Sequence, residues 1–157
     1  MTFDENKEFH LTAANDTTHK LANMIAWIDI GVFAFLAVIY TILMRNEESF
    51  FTVSSNGWIG YLLAVLFSLP GVYLLLYMHN WKLDIKDGNI TRTSALGAHK
   101  VLGSVSEMAE CREQDHQVSV YSEEALLFSF SFLNGGDTID LYQELFGHAP
   151  QVPQADN

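Results

Sequence analysis

Six histidines, His10, His19, His79, His99, His116 and His148, are the residues best suited to hold a metal or move a proton in this chain of 157 residues. Two ligands reach one ion from one helix face only when they stand three or four positions apart, and no two of these histidines do. The spacing predicts no metal site and no cofactor. His79 stands just past an apolar run, where an interfacial imidazole is the plain expectation and pH sensing the alternative. The lone Cys111 makes no internal disulfide, and with Glu110 and Glu113 close by it reads as a small half-buried strand residue, not a reactive thiol. No glycine-rich phosphate loop, nucleophile elbow or carboxylate pair in an apolar setting can be read. The expectation is a protein that is not an enzyme.

The strongest signals elsewhere in the chain are two apolar runs. Residues 24–44 and 58–78 each have about the length that crosses a hydrocarbon core at 1.5 Å per residue. Pro70-Gly71 interrupts the second run, a pair that membrane helices tolerate when neighbours satisfy the freed carbonyl. So small a chain could not cover two such helices all round, which argues against a buried soluble hairpin. The spacing therefore predicts a transmembrane helical hairpin over 23–78. Residues 1–22 form a polar N-terminal segment without a cleavage signal, in which Asp16 or Thr17 is placed to cap the first helix. The connection between the runs carries one cation, Arg45, whereas Lys7, Lys20, Lys82, Lys86, Arg92 and Lys100 flank the hairpin. Lys and Arg collect on the cytoplasmic side, so both termini are expected there in a multi-pass protein of the cell membrane. Trp27 and Trp81 then fall at the inner interface, and Tyr40 and Trp58 at the outer one.

Small residues let membrane helices approach closely, and the second run places Gly60, Ala64, Ser68 and Gly71 on one face. The first offers Gly31, Ala34, Ala37 and Thr41. In an antiparallel pair, Gly31 meets Gly71, Ala34 meets Ser68, Ala37 meets Ala64 and Thr41 meets Gly60, so the expected seam is in register. Asp29 is the one charged side chain inside either run, and at 100° per residue it projects away from that seam with Phe33, Leu36 and Tyr40. An ionised carboxylate at such a depth costs about 2–3 kcal/mol unless it finds water or a partner. Two readings follow: Asp29 reaches the inner interface or is protonated, or it contacts a polar group on another membrane subunit and marks this face as an assembly surface.

After the second run the period changes from helical to alternating. Trp81, Leu83 and Ile85 alternate with polar residues, Asp87-Gly88 supplies a tight turn, and 89–93 returns. Segments 101–105 and 108–112 read as short strands. Val118 and Val120, then Phe128, Phe130 and Phe132, alternate with serines across the polar turn 122–124. Asp137 is placed to cap a closing helix on which Ile139, Leu141, Tyr142, Leu145 and Phe146 recur until Gly147. Residues 149–157 read as a disordered tail. The fold class expected is a membrane α-helical hairpin followed, over 79–148, by a small α+β domain, an antiparallel β-meander closed by one C-terminal helix. A unit of roughly 70 residues buries only a thin core and is marginal alone.

The hairpin, the Trp-x-Leu-x-Ile opening with its Asp-Gly turn, the Phe-rich strand and the Tyr-x-x-Leu-Phe helix together resemble small bacterial membrane proteins that carry a pleckstrin-homology-like domain. That resemblance covers about residues 24–147 and implies a scaffold or binding role without catalytic residues. In such domains cations around the first hairpin gather phospholipid headgroups. Here those would be Lys82, Lys86, Arg92 and Lys100, although Asp84 and Asp87 in the same hairpin favour ordinary charge that fixes topology. Nineteen acidic residues against eight basic ones, a net charge of -11, argue against nucleic acid and bulk anionic lipid as partners, since both are bound mainly by Lys and Arg neutralising phosphate. The functional expectation is a membrane-anchored interaction or scaffold module, an accessory subunit with another membrane protein or a second copy as partner in the bilayer and a cytoplasmic protein docking on the sheet. The alternative is a small component of a transport or channel assembly, which two spans could form only as an oligomer or with a larger host.

Overall fold

The computed structural model describes Phe3 and residues 7–45, 58–123 and 125–148; the connection 46–57 and the tail 149–157 lie outside the described residues, as do the side chains of Met44, Arg45 and Trp58. Two helices, α1 (Asp16–Arg45) and α2 (Trp58–Asn80), carry the apolar runs. Both are long and apolar enough to cross a membrane, and the rest of the chain buries only 6 % of either apolar window. The helix α1 starts earlier than the apolar run. Its cap is Asn15, whose side-chain oxygen accepts the Thr18 backbone N–H at 2.9 Å, so neither Asp16 nor Thr17 takes that role.

The chain divides into two compact units, and the division does not follow the chain order. One unit is Lys20–Leu76. The other joins Met1–His19 to Tyr77–Asn157. The polar start, expected to stand apart, thus belongs to the sheet domain.

Its first strand, β1 (Phe9–Thr12), precedes α1, while β2 (Lys82–Lys86) and β3 (Asn89–Thr93) follow α2. They are joined by β4 (His99–Ser104) and by the two-residue β8 (Gly135–Gly136) in a sheet of order β4-β3-β2-β1-β8. A second sheet, β5-β6-β7, is built from Glu110–Gln114, Gln117–Tyr121 and Leu126–Ser131. All pairings are antiparallel. The helix α3 (Thr138–Phe146) closes the domain, and Gly147 ends it in the left-handed conformation at φ 74°.

Local chemistry explains the register. Asp87 and Gly88 both have positive φ, 50° and 72°, which is the two-residue turn whose twist matches paired strands. That loop sets Lys86 opposite Asn89 and Leu83 opposite Arg92. Asp115 and His116, at φ 49° and 64°, make a second turn of the same kind between β5 and β6, which glycine-seeking reading passes over. In the second sheet Val118 faces Phe130 and Val120 faces Phe128, all buried. These pack with Leu11, Leu83, Ile85, Ile90, Leu141 and Tyr142 into one core.

The strand β1 is locked on both edges. Leu11 pairs with Leu83 on one side and Gly136 on the other. The Asp137 carboxylate accepts the His10 backbone N–H at 2.8 Å, and the Asp137 N–H donates back to the His10 carbonyl at 3.0 Å. Asp137 therefore ties β1 to the domain, and its side chain makes no capping bond to α3. Ile139, expected on the buried face of α3, is 55 % exposed, because Thr138, Leu141, Tyr142 and Leu145 define that face.

Candidate functional site

Within the helix pair, the face of α1 that meets α2 is rotated from the expected seam. Gly31 has nothing within 4 Å of the position a Cβ would take, and Ala34 is exposed. Asp29, Phe33 and Tyr40, expected to point away, instead lie against α2. The Gly71 N–H donates to the Asp29 carboxylate at 3.0 Å. Phe33 stacks on Phe67 with ring centroids 5.6 Å apart, and Tyr40 meets Tyr61 edge-on at 5.3 Å. A Cβ on Gly60 would fall 2.5 Å from the Tyr40 ring, and one on Gly71 would fall 2.6 Å from the Asp29 carboxylate and 2.9 Å from the Ala26 carbonyl. Gly60 is thus a socket for the Tyr40 ring, while Gly71 lets Asp29 and the backbone of the buried Ala26 approach.

Pro70 stands directly before Gly71 inside α2. A proline within a helix has no N–H to give, which leaves a carbonyl of the preceding turn without its helical donor. The Asp29 carboxylate is an acceptor and meets the Gly71 N–H on the other side of that break. Nearer the other end of the pair, the Thr41 hydroxyl donates to the Ala37 carbonyl and lies 2.8 Å from the Tyr61 hydroxyl. Between the two helices runs an apolar groove of about 410 Å³ lined by Leu36, Ala37, Tyr40, Gly60, Leu63 and Ala64, among others. Ser68 turns its hydroxyl onto the Val65 carbonyl of its own helix.

The four cations do not converge. Lys82 and Lys86 share the outward face of β2, alternating with the buried Leu83 and Ile85. Arg92 lies opposite Leu83 and Lys100 opposite Arg92, so these two belong to the other face of the sheet. Lys86 also forms an ion pair with Glu8 at 3.2 Å. No single pocket gathers all four.

A polar cleft of about 720 Å³ opens over β1, β2 and β3, lined by Glu8, His10, Asp84, Lys86, Asp87 and Asp137 among others. There the His10 ring bonds Asp84 through Nδ1. At the opposite sheet the Tyr142 hydroxyl donates to Glu113 at 2.7 Å; burial, and then that carboxylate, push the phenol up to about 12. Burial, and then the charge of Glu110, push the Cys111 thiol up to about 11. Among the described residues, no three His, Cys, Asp or Glu side chains come together in a way that could hold a metal ion.

The fold and these sites define a class: an apolar two-helix hairpin inserted into a small antiparallel α+β domain, between its first strand and the rest. No family model, curated protein or solved structure matches the chain. The feature that sequence reasoning missed is β1, whose sole signal is the alternation of Phe9 and Leu11 with His10 and Thr12.

Proposed function

We propose that this chain is a membrane-anchored interaction module that works as an accessory subunit, with a pleckstrin-homology-like domain whose β1–β2 connection is replaced by the membrane hairpin. The observation that carries the reading is the pairing of Leu11 with Leu83, both fully buried, one before α1 and one after α2. If α1 and α2 cross a bilayer, that pair requires both flanks of the hairpin to lie on one side. The excess of Lys and Arg beside the hairpin argues that this side is the cytoplasm. Four strands in the order β4-β3-β2-β1, three more in β5-β6-β7 and a closing helix support the likeness to pleckstrin-homology domains.

Toward the cytoplasm the module offers an acidic surface. Edge strand β5 carries Glu110 and Glu113, with Asp115 in the following turn, and Arg112 is engaged by Glu110 at 2.8 Å. Such a surface suits a protein partner with basic residues and repels phosphate chains. The bonding of Asp29 to Gly71 removes the need for a polar group from another subunit at that position, so the partner contact lies elsewhere on the helices. Native mass measurement of the complex extracted in mild detergent tests the reading. A mass above that of one 17.7 kDa chain is expected, and a lone monomer in every mild detergent contradicts an accessory subunit.

A further inference from the structure

Two exposed leucines sit on ordered loops, each tied to one end of a helix. Leu96 is 76 % exposed while its neighbour Ala95 is buried. The loop that carries it, 94–98, is pinned by bonds from the Ser94 N–H to the Ala98 carbonyl, from the Gly97 N–H to the Ser94 carbonyl, and from the Ala98 N–H to the Ser94 hydroxyl. Asn80, the last residue of α2, donates from its side chain to the Ala95 carbonyl at 2.8 Å. Leu133, 62 % exposed, occupies the turn after β7. Its carbonyl accepts the N–H of Asn15, the cap of α1, at 2.8 Å, and Asn134 beside it donates to the Thr12 and Ala13 carbonyls.

Lys82, Arg92 and Lys100 stand at the same end of the sheet, Lys82 on one face and the other two on the opposite face. Lys82, Thr93 and His99 form its first row beyond α2, and Leu83, Arg92 and Lys100 the second. Lys86, the cation farthest along β2, is the one held by Glu8. In a chain with a net charge of -11, this rim carries three cations against Asp16, which follows Asn15, and Asp84, one row further along β2.

We infer that the rim is a second membrane contact: Leu96 and Leu133 enter the interfacial zone of the leaflet where α2 ends and α1 begins, and Lys82, Arg92 and Lys100 lie over its anionic headgroups. The inference rests on the membrane reading of α1 and α2. A leucine kept exposed by a hydrogen-bonded loop is buried at low ordering cost when a lipid surface meets it, and basic side chains beside an apolar tip match the negative potential of the cytoplasmic leaflet. The contact would hold the domain at the surface by its loops as well as by its helices.

The test uses the full chain in nanodiscs, with Cys111→Ser as background and single cysteines labelled with an environment-sensitive fluorophore. Leu96→Cys and Leu133→Cys probe the tips. Leu126→Cys is the control, since Leu126 is 52 % exposed but starts β7, whereas Leu133 follows its end. Phe35→Cys, on an exposed position of α1, reports insertion of the hairpin itself. Expected are blue-shifted emission and quenching by shallow nitroxide lipids at 96 and 133, with 126 quenched by aqueous iodide alone. Iodide quenching of 96 and 133 equal to that of 126 overturns the inference while Phe35→Cys is still quenched by deep nitroxides. Loss of deep quenching at Phe35→Cys overturns the membrane reading instead. Omitting phosphatidylglycerol, or combining Lys82→Gln, Arg92→Gln and Lys100→Gln, should abolish the shallow quenching at 96; unchanged quenching overturns the role of the cations.

Discussion

The carboxylate of Asp29 accepts a hydrogen bond from the backbone N–H of Gly71 at 3.0 Å, so the one charged side chain within either apolar run is satisfied inside the chain. Asparagine keeps an acceptor oxygen at that place and leucine does not. Asp29→Asn should therefore melt within a few degrees of wild type in detergent, whereas Asp29→Leu should lose about 1–2 kcal/mol of helix-pair stability. Equal melting of both variants would show that the bond adds nothing.

The glycines of the two helices should behave unequally. Gly71→Ala places a methyl 2.9 Å from a backbone carbonyl that cannot swing aside, while Gly31→Ala meets open space. The first is expected to cost about 1–3 kcal/mol and the second nothing measurable. Gly60→Ala should fall between them, because the Tyr40 ring can rotate away, and Tyr40→Ala should restore much of what Gly60→Ala loses. Thermal unfolding of the four variants checks the order, and a larger loss at Gly31 than at Gly71 would return the seam to the glycine-on-glycine arrangement.

The strand ahead of α1 should be indispensable to the domain that follows α2. Leu11 is fully buried, and Leu11→Ala should cost about 2–5 kcal/mol, a large share of what a small domain possesses. Glu8→Ala, on an exposed ion pair, should cost under about 1 kcal/mol. Limited proteolysis within 82–93 reads the difference: fast cleavage in Leu11→Ala and slow cleavage in Glu8→Ala are expected. Equal resistance in both would mean that β1 is dispensable.

Cys111 should be a sluggish thiol. With its pKa raised from 9.0 to about 11, only about one molecule in ten thousand carries a thiolate at pH 7. Maleimide labelling should rise about tenfold per pH unit until near pH 11, and a plateau at pH 9 would contradict the burial. The folded state favours the protonated thiol, so the corresponding stability is complete below pH 9 and is lost as pH rises from 9 to about 11. Cys111→Ser should flatten that part of the stability profile.

Much of the architecture is legible in local chemistry. Length and apolarity mark α1 and α2, Asp87-Gly88 marks a hairpin, and the alternation of valine or phenylalanine with serine marks β6 and β7. The strand β1 escapes such reading because its four residues gain meaning only from Leu83 and Gly136, distant in sequence. Similarly, small residues reveal which face of α2 is approached, but not what approaches it. Asp29 lies on the face of α1 turned toward α2, where its carboxylate accepts the Gly71 N–H beside Pro70, a contact that helical periodicity cannot express. The two faces that divide Lys82 and Lys86 from Arg92 and Lys100 likewise depend on a register that the composition of the hairpin does not fix.

A membrane hairpin inserted into a domain built from both of its flanks fixes the sidedness of three single cysteines. In a Cys111→Ser background, Glu8→Cys precedes α1, Gln117→Cys begins β6, and Ser54→Cys falls in the connection between the helices. Sealed vesicles of either orientation are treated with a maleimide that cannot cross the bilayer. The account predicts that Glu8→Cys and Gln117→Cys label only from the cytoplasmic side and Ser54→Cys only from the other. Labelling of Glu8→Cys and Gln117→Cys from opposite sides, or of all three from the same side, would contradict it.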